Sequence, residues 1–325
     1  MGIERGGLKT WSALAGNKKR PSEYEIVTYK LHYRNRKPDA AYEQSPDSMM
    51  NQWYRKHVRD SLLKHDDWDA FRDPDQVTYR SYTAMQDAHE EYVDGLLKNH
   101  TDTGHDSKLK SEWVEKLKSH YTPLRYLMTT LQMGSAYIVQ MAPASTITNC
   151  AAFQEADSFR WLSRTAYRTK QLSLAYPEVG FATSERGAWE DDEAWQGFRE
   201  LMEKALATYD WAENLFAINV VAARAIDEAI RQLGHTAQAN GDTLTAMLCD
   251  AQLRDAERSR RWTSAWLKHA LGQTGNAEVL AQWKAKWEPL ESKALEAYCS
   301  SLSGETGAVA AKRAVTHFHS QAGLA

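Results

Sequence analysis

Along most of this chain, apolar side chains return every three to four residues, and nowhere do Val and Ile alternate with polar neighbours over a useful length. That period predicts helices and no strands. One helix is expected from Asp73-Pro74-Asp75, a cap followed by proline at the first helical position, to about His100, marked by Val77, Tyr82, Met85, His89, Tyr92, Val93, Leu96 and Leu97. A second runs from Leu109 to about Met141 with a bend at Pro123. A third spans Ala144 to about Ala175, between Pro143 and Pro177. After a loop at 177–194, helices are predicted over 194–208, 209–240, 243–271 and 276–302, with Gly241-Asp242-Thr243 as a stop followed by a cap. At ~1.5 Å per residue the longer ones reach on the order of 45 Å, which suits a bundle.

Two stretches break the pattern. Residues 1–50 hold Pro21, Pro38 and Pro46 with Trp11, Tyr24, Tyr29, Tyr33 and Tyr42, and keep no helical period. An aromatic-studded arm of this kind cannot form a core alone and must lie on something, either its own bundle or a partner. Residues 46–60 can form a short helix carrying Trp53 and Tyr54, followed by a turn-rich link over 66–73. The tail 303–325 contains Gly304, Gly307 and several alanines, and is helix-prone but poorly anchored. The division expected is therefore an arm (1–50), a helical bundle (51–302) and a tail (303–325).

The third helix carries Gln154, Asp157 and Arg160 at three-residue intervals in an apolar, aromatic setting. A later run repeats its character: Ser158-Phe-Arg160-Trp161-Leu-Ser163 and Ser259-Arg-Arg261-Trp262-Thr-Ser264 agree at four of six positions. Two such helices suggest similar helix pairs facing across a bundle. In carboxylate-bridged di-iron bundles each pair carries Glu-x-x-His. Here those places hold Asp157-x-x-Arg160, Asp255-x-x-Arg258 and Glu257-x-x-Arg260. A guanidinium has no lone pair to offer a metal. We therefore expect Asp157, Arg160, Asp255, Glu257, Arg258 and Arg261 to pair across the bundle and fix helix register, since one member left alone would cost roughly 3–5 kcal/mol. The competing reading puts Arg258, Arg260 and Arg261 mostly at the surface, because three arginines in four positions cannot all point inward.

Longer strings carry a family resemblance. Pro21-Ser-Glu-Tyr24-Glu-Ile-Val, Leu63-Lys-His65-Asp-Asp-Trp68-Asp-Ala-Phe71-Arg-Asp-Pro74-Asp-Gln76, Met141-Ala-Pro143-Ala-Ser-Thr-Ile-Thr-Asn149-Cys150, Thr165-Ala-Tyr167-Arg-Thr169 and Trp195-Gln-Gly-Phe-Arg-Glu200-Leu lead the set. The chain resembles the β subunit of the hydroxylase component of bacterial multicomponent di-iron monooxygenases, of the toluene/o-xylene, aromatic and alkene type. The resemblance covers roughly residues 8 to 302.

It implies an all-α, ferritin-like (ribonucleotide-reductase-like) bundle with an extended N-terminal arm that lies across a partner subunit. It also implies a non-catalytic structural role, with no cofactor in this chain and the di-iron centre in the partner α subunit. The implied partners are α and γ subunits in an (αβγ)2 assembly, served by a Rieske ferredoxin, a flavin reductase and an effector protein. Trp11, Tyr24, Trp53, Tyr54, Trp68 and Phe71 are the interface candidates; core filler is the competing role, above all for Trp68 and Phe71.

Composition narrows the remaining classes. Forty basic and forty-three acidic residues give a formal charge of -3, so no global field points to nucleic acid or an anionic membrane. Lys18-Lys19-Arg20 is the one basic cluster, a clamp for an acidic partner or simply a solvated turn. Twelve Trp and fifteen Tyr favour a subunit over a free monomer. Cys150, Cys249 and Cys299 are odd in number and widely spaced, as expected of reduced thiols in the cytoplasm. No run is long enough for a signal peptide or a membrane span.

The eleven histidines include no Glu-x-x-His; His89 has Gln86 three places before it. His65-Asp66-Asp67 reads as a turn and His317-x-His319 as a chance pair. Nucleophile elbow, phosphate loop, dinucleotide fingerprint and Cys-x-x-Cys are all missing, which removes support for hydrolase, NTPase, nicotinamide and thioredoxin-type functions. The rival readings are a stand-alone divergent di-iron oxidase, which needs ligands not found here, and a free-standing helical adaptor.

Overall fold

The computed structural model describes residues 21–29 and 47–324, and every regular element among them is helical. The first two are short: α1 (Glu23–Thr28) and α2 (Met49–Tyr54), the latter running into a wide π turn at Arg55–Arg59. Then come α3 (Tyr79–Asp102) and α4 (Ser111–Lys116), with a second π turn at Leu117–Tyr121. The long pair α5 (Leu124–Met141) and α6 (Ser145–Ala175) is followed by α7 (Glu185–Asp191) and α8 (Glu193–Leu206). Finally α9 (Trp211–Leu215) passes through a π turn at Phe216–Ala222 into α10 (Ala223–Ala239), and α11 (Thr243–Leu271), α12 (Asn276–Ser303) and α13 (Glu305–Gln321) close the chain.

The core lies where α5 packs on α6, α10 on α11, and α12 on α8. Its largest fully buried side chains include Trp113, Trp195, Trp211, Trp262, Trp266, Trp287 and Tyr298. These indoles fill volume that aliphatic side chains could not span between long helices. Cys150, Cys249 and Cys299 are free and buried, and burial pushes the Cys299 thiol up to about 12. Such thiols behave as small hydrophobes.

Four local expectations need correction. The predicted helix start at Asp73-Pro74-Asp75 is a turn: the Asp73 carboxylate accepts from the N–H groups of Asp75 and Val77, both at 3.0 Å. The helix itself opens at Tyr79 behind a capping box of Thr78 and Ser81. The loop at 177–194 contains α7. It is held by the fully buried Glu185, whose carboxylate accepts from the Ala182 N–H at 2.8 Å, and by Trp189 stacking on Tyr126.

Within residues 1–50, the described part is a helix and not an extended strip. Ser22 and Glu25 cap α1 reciprocally, and the Ser145 hydroxyl donates to the Thr28 carbonyl at 2.6 Å. The tail is anchored. Gly304, with φ 79, turns the chain into α13, which packs on α10 and α12. Buried His319 reaches the Val220 carbonyl at 3.0 Å. That carbonyl belongs to the π turn, where the wider ring leaves backbone groups open to side chains.

Candidate functional site

Three helices bring the buried charges together. On α6 and α11 the two acid-x-x-Arg pairs are exchanged crosswise: Asp157 binds Arg258, and Arg160 binds Asp255. Each helix presents its acid and its guanidinium one turn apart, so two antiparallel exchanges satisfy both. The third contributor is α3. Its Gln86 amide donates to Asp157 at 2.8 Å and to Asp255 at 3.2 Å, the Tyr82 hydroxyl donates to Asp157 at 2.9 Å, and His89 Nδ1 lies 3.0 Å from Asp255 Oδ1. Trp161 Nε1 completes the Asp255 shell at 2.7 Å. Outside it, Glu90 accepts from Arg160 at 2.7 Å and also binds Arg164.

The electrostatics follow from burial. Desolvation raises the Asp157 carboxyl, while Arg258 and the Tyr82 hydrogen bond pull it back. Burial lowers His89, and the neighbouring Arg160 cation lowers it further. A carboxylate can only accept, so a neutral His89 holds its proton on Nδ1, facing Asp255. Burial also works against Glu90, but hydrogen bonds from Arg164 and Arg160 bring its carboxyl below the ordinary range. Carboxylates and guanidiniums alternate throughout.

Beside this cluster lies a neutral network. Gln154 donates to Ser135 and to Asn219, both at 3.0 Å; Asn219 returns a bond to Gln154 at 2.9 Å and donates to Thr263 at 3.2 Å; Ser259 donates to Gln154 at 2.5 Å. These five residues come from α5, α6, the π turn and α11, so the network ties those four elements together.

Not every predicted member joins. Glu257 is on the exposed face of α11, and Arg261, half-exposed, pairs outward with Asp75 at 2.9 Å. Arg260 turns the other way to Asp227, also at 2.9 Å, where Arg224 is a second partner. Helical geometry explains the split: at ~100° per residue Arg258 and Arg260 lie ~160° apart around α11, with Glu257 and Arg261 between them on the outward side. Gln86, His89 and Tyr82 were not foreseen as members. The available signal was Gln86-x-x-His89, a third i, i+3 pair that a search for Glu-x-x-His passes over.

The aromatic candidates are also sorted. Tyr24 is buried, its hydroxyl accepting from the Asp73 N–H at 3.1 Å, and Phe71 is buried against His269. Both are core residues of this chain, because the turn at Asp73 folds α1 onto the bundle. Trp68 is half-buried among Trp211, Trp266 and His65. Trp53 and Tyr54 are half-buried, Trp53 lying edge-on to Tyr209. Trp11 lies outside the described residues. The large apolar side chains left exposed are elsewhere, with Phe159, Tyr167 and Leu174 on α6 and Met133 on α5 among them.

The set does not fit a di-iron centre. Asp157 already has three hydrogen-bond partners and Asp255 four, and each touches a guanidinium that would repel a cation and cannot ligate one. Among the described residues, no group of three or more His, Cys, Asp and Glu is placed to hold a metal ion. What the cluster can do is lock three helices in one register.

Such a bundle has known counterparts. Residues 50–274 match the sequence family described as Methane/Phenol/Alkene Hydroxylase, and the chain belongs to that family. It is 50% identical over 299 residues to the hydroxylase component subunit beta of the toluene-4-monooxygenase system of Ectopseudomonas mendocina, covering 92% of this chain and 91% of that one. Its structure is similar to that of toluene 4-monooxygenase solved with toluene in the resting active site: the TM-score is 0.86 at 49% identity, over 93% of this chain and 99% of the other. Phenol hydroxylase from Pseudomonas sp. OX1 shares the fold, with a TM-score of 0.79 at 22% identity over 94% of this chain and 91% of that one. The fold is thus the all-α, ferritin-like one of hydroxylase subunits. Among the described residues no helix is long and apolar enough to cross a membrane.

Proposed function

We propose that the chain is the non-catalytic β subunit of a cytoplasmic di-iron hydroxylase that oxidises aromatic hydrocarbons or alkenes with O2. The observation that carries this reading is the crosswise Asp157–Arg258 and Arg160–Asp255 exchange, which puts guanidiniums, unable to ligate a metal, where a di-iron bundle needs histidines and ties up both carboxylates with them. The iron would belong to an α subunit, in a paired αβγ assembly supplied by a Rieske ferredoxin, a flavin reductase and an effector protein. On this reading the β chain acts at a distance. It is a rigid platform for the α helices, and its own packing sets how firmly they are held.

The test is co-expression with an α subunit that carries two Glu-x-x-His helices. The two chains should purify together, with iron and O2-dependent hydroxylation present only when α is present. Stoichiometric iron and hydrocarbon oxidation in this polypeptide alone would overturn the proposal and favour a stand-alone oxidase.

A further inference from the structure

A cavity of about 50 Å³ lies between α5, α6, α10 and α11 and is not sealed from the surface. One side is apolar, with Met128, Leu131, Ile226 and Ile230. The other carries Asp157, Asp227, Asp255, Arg224 and the amide of Gln252. What such a space can hold depends on which of these polar groups are already matched.

Each carboxylate has a guanidinium: Asp157 has Arg258, Asp255 has Arg160, and Asp227 accepts from Arg260 Nε at 2.9 Å. Arg224 is therefore a fourth guanidinium on three carboxylates. Its Nε donates to the Asn219 carbonyl at 3.2 Å, and its central carbon lies 5.2 Å from the centre of the Phe318 ring. Nη1 comes within 2.8 Å of Asp227 Oδ2, the oxygen that Arg260 already uses, but out of line for a hydrogen bond, and Nη2 has no partner in the protein. Two further acids nearby do not supply the missing charge. Glu228 pairs with Arg231 at 3.1 Å, and burial raises the Glu291 carboxyl well above the carboxylate range, toward its neutral form. Burial lowers Arg224 only to about 10, so it stays a cation at neutral pH.

The unmatched groups are donors. Arg224 Nη1 and Nη2, Arg258 Nη1 and Arg260 Nη2 are buried with no hydrogen-bond partner in the protein. The Gln252 amide donates only to the Met128 sulfur at 3.2 Å, a weak acceptor. Arg224 is 3% exposed and Gln252 9%, so bulk solvent does not satisfy them. Within the cluster the unmatched buried acceptor is Gln86 Oε1, which is off the cavity wall. A guest must therefore accept hydrogen bonds. A water could do that, but it brings no charge to an underpaired guanidinium in a low-dielectric interior, whereas an anion brings both. A single water needs ~10–15 Å³ of such space, which limits the guest to roughly three or four heavy atoms.

We propose that this cavity binds one small monovalent anion, of halide to formate size, between the terminal nitrogens of Arg224 and the amide of Gln252. The apolar side offers nothing to a second charge. The inference stands apart from the proposed role of the chain, because it uses only the volume of the cavity and the charge of its wall.

The probes are bromide and formate. Crystals of the full chain in its purified assembly, soaked in sodium bromide, should show one anomalous peak within hydrogen-bonding reach of Arg224 and Gln252. In solution at constant ionic strength, formate should raise the denaturation midpoint of the same assembly to a plateau, as a ligand of the native state does. Arg224→Met should abolish both the peak and the formate response. Gln252→Leu keeps the charge and removes one donor, so the formate concentration that gives half the response should rise about tenfold; this variant carries the test if Arg224→Met does not fold. Ordered water in place of bromide in native crystals, a bromide peak that survives Arg224→Met, or a formate response that Gln252→Leu leaves unchanged would overturn the proposal.

Discussion

Asp157 and Arg258 are 101 residues apart in the chain and meet as a buried ion pair between α6 and α11. The guanidinium has little else. Its Nη1 finds no hydrogen-bond partner, and its other neighbours are the ring faces of Tyr82 and Phe153, at 5.1 and 6.0 Å. Truncating one side of such a pair strands the other charge in a low-dielectric interior. We expect Asp157→Ala to destabilise the protein by roughly 3–5 kcal/mol, read as a fall in the denaturation midpoint. An unchanged midpoint would show that the pair contributes nothing to stability.

The same pair allows a sharper test of whether its purpose is stability or register. Replacing a buried ion pair with well-packed apolar residues of similar volume is often neutral or stabilising. Asp157→Leu combined with Arg258→Met should therefore recover most of what Asp157→Ala loses. If the pair fixes register, the double variant should remain stable yet bind its α partner less tightly in co-purification. Stability and assembly both at native levels would leave the pair without a specifying role.

Arg168 binds Asp106 through both terminal nitrogens, each at 2.6 Å, and so ties the link after α3 to the middle of α6. The arginine is buried, while Asp106 is about one-fifth exposed. Lysine would keep the charge but present a point donor where a planar fork is needed. Arg168→Lys should cost roughly 1–2 kcal/mol, below the full range for a charged hydrogen bond because Asp106 is partly solvated. Amide exchange over residues 104–109 should accelerate more than elsewhere. Uniform protection would mean that the link is held by its backbone alone.

How much of this was readable beforehand depended on whether the responsible signal was local. The long helices were, because period and caps are properties of neighbouring residues: the stop at Gly241 and the Asp242 cap of α11 follow from the residues themselves. The involvement of Asp157, Arg160, Asp255 and Arg258 could be suspected from the repeat between the two runs. Their crosswise pairing needed the antiparallel packing that only the fold supplies. Gln86 and His89 do not stand out in the sequence because Gln-x-x-His is not a metal-ligand pair, whereas the cluster needs only hydrogen-bond donors.

The aromatic residues were harder, for a related reason. Tyr24 and Phe71 lie in stretches with no helical period, and such stretches look unable to bury anything. They are buried because a short helix and a turn fold onto a bundle already formed by residues far away. In the tail, the alanines and Gly307 that suggested loose chain are what let α13 approach: a Cβ at Gly307 would meet the Ser303 side chain. Small residues look featureless in sequence, and in this packing their smallness is the requirement.

His120 should make stability depend on pH. It is buried, with Nε2 3.2 Å from the Ser301 hydroxyl, Nδ1 2.8 Å from that of Ser119, and its ring edge-on to Tyr298. Burial, reinforced by Lys116 and opposed weakly by Asp192, pushes its pKa down from 6.5 to about 4. Between those values the unfolded chain takes up a proton that the native state refuses. Stability is therefore fully present above pH 6.5, falls as pH drops, and stops falling on this account below about 4, by on the order of 3 kcal/mol across the window. His57, His89, His269 and His319 are shifted the same way by burial, so some slope will remain without His120. His120→Asn should nevertheless flatten the stability–pH curve between pH 6.5 and 4; an unaltered slope would show that His120 does not titrate there.

A close approach of two helix backbones supplies the last expectation. A Cβ built on Gly197 of α8 would lie 2.6 Å from the Ala294 Cα and 2.8 Å from the Lys293 carbonyl oxygen of α12, and both are backbone atoms that no rotamer change can move. Gly134 offers a contrast. Its Cβ would meet only the Ile218 side chain, at 2.6 Å, which can shift. Alanine is the better helix former by ~1 kcal/mol, so on propensity alone both substitutions should stabilise. At Gly197 the two helices would have to separate along their length, and overpacking typically costs ~1–3 kcal/mol. Gly197→Ala should thus lower the denaturation midpoint clearly and Gly134→Ala less. If Gly197→Ala proved neutral, α8 and α12 would have to sit farther apart than the structure places them, and the shared Trp195–Tyr298 contact behind that seam would loosen with them.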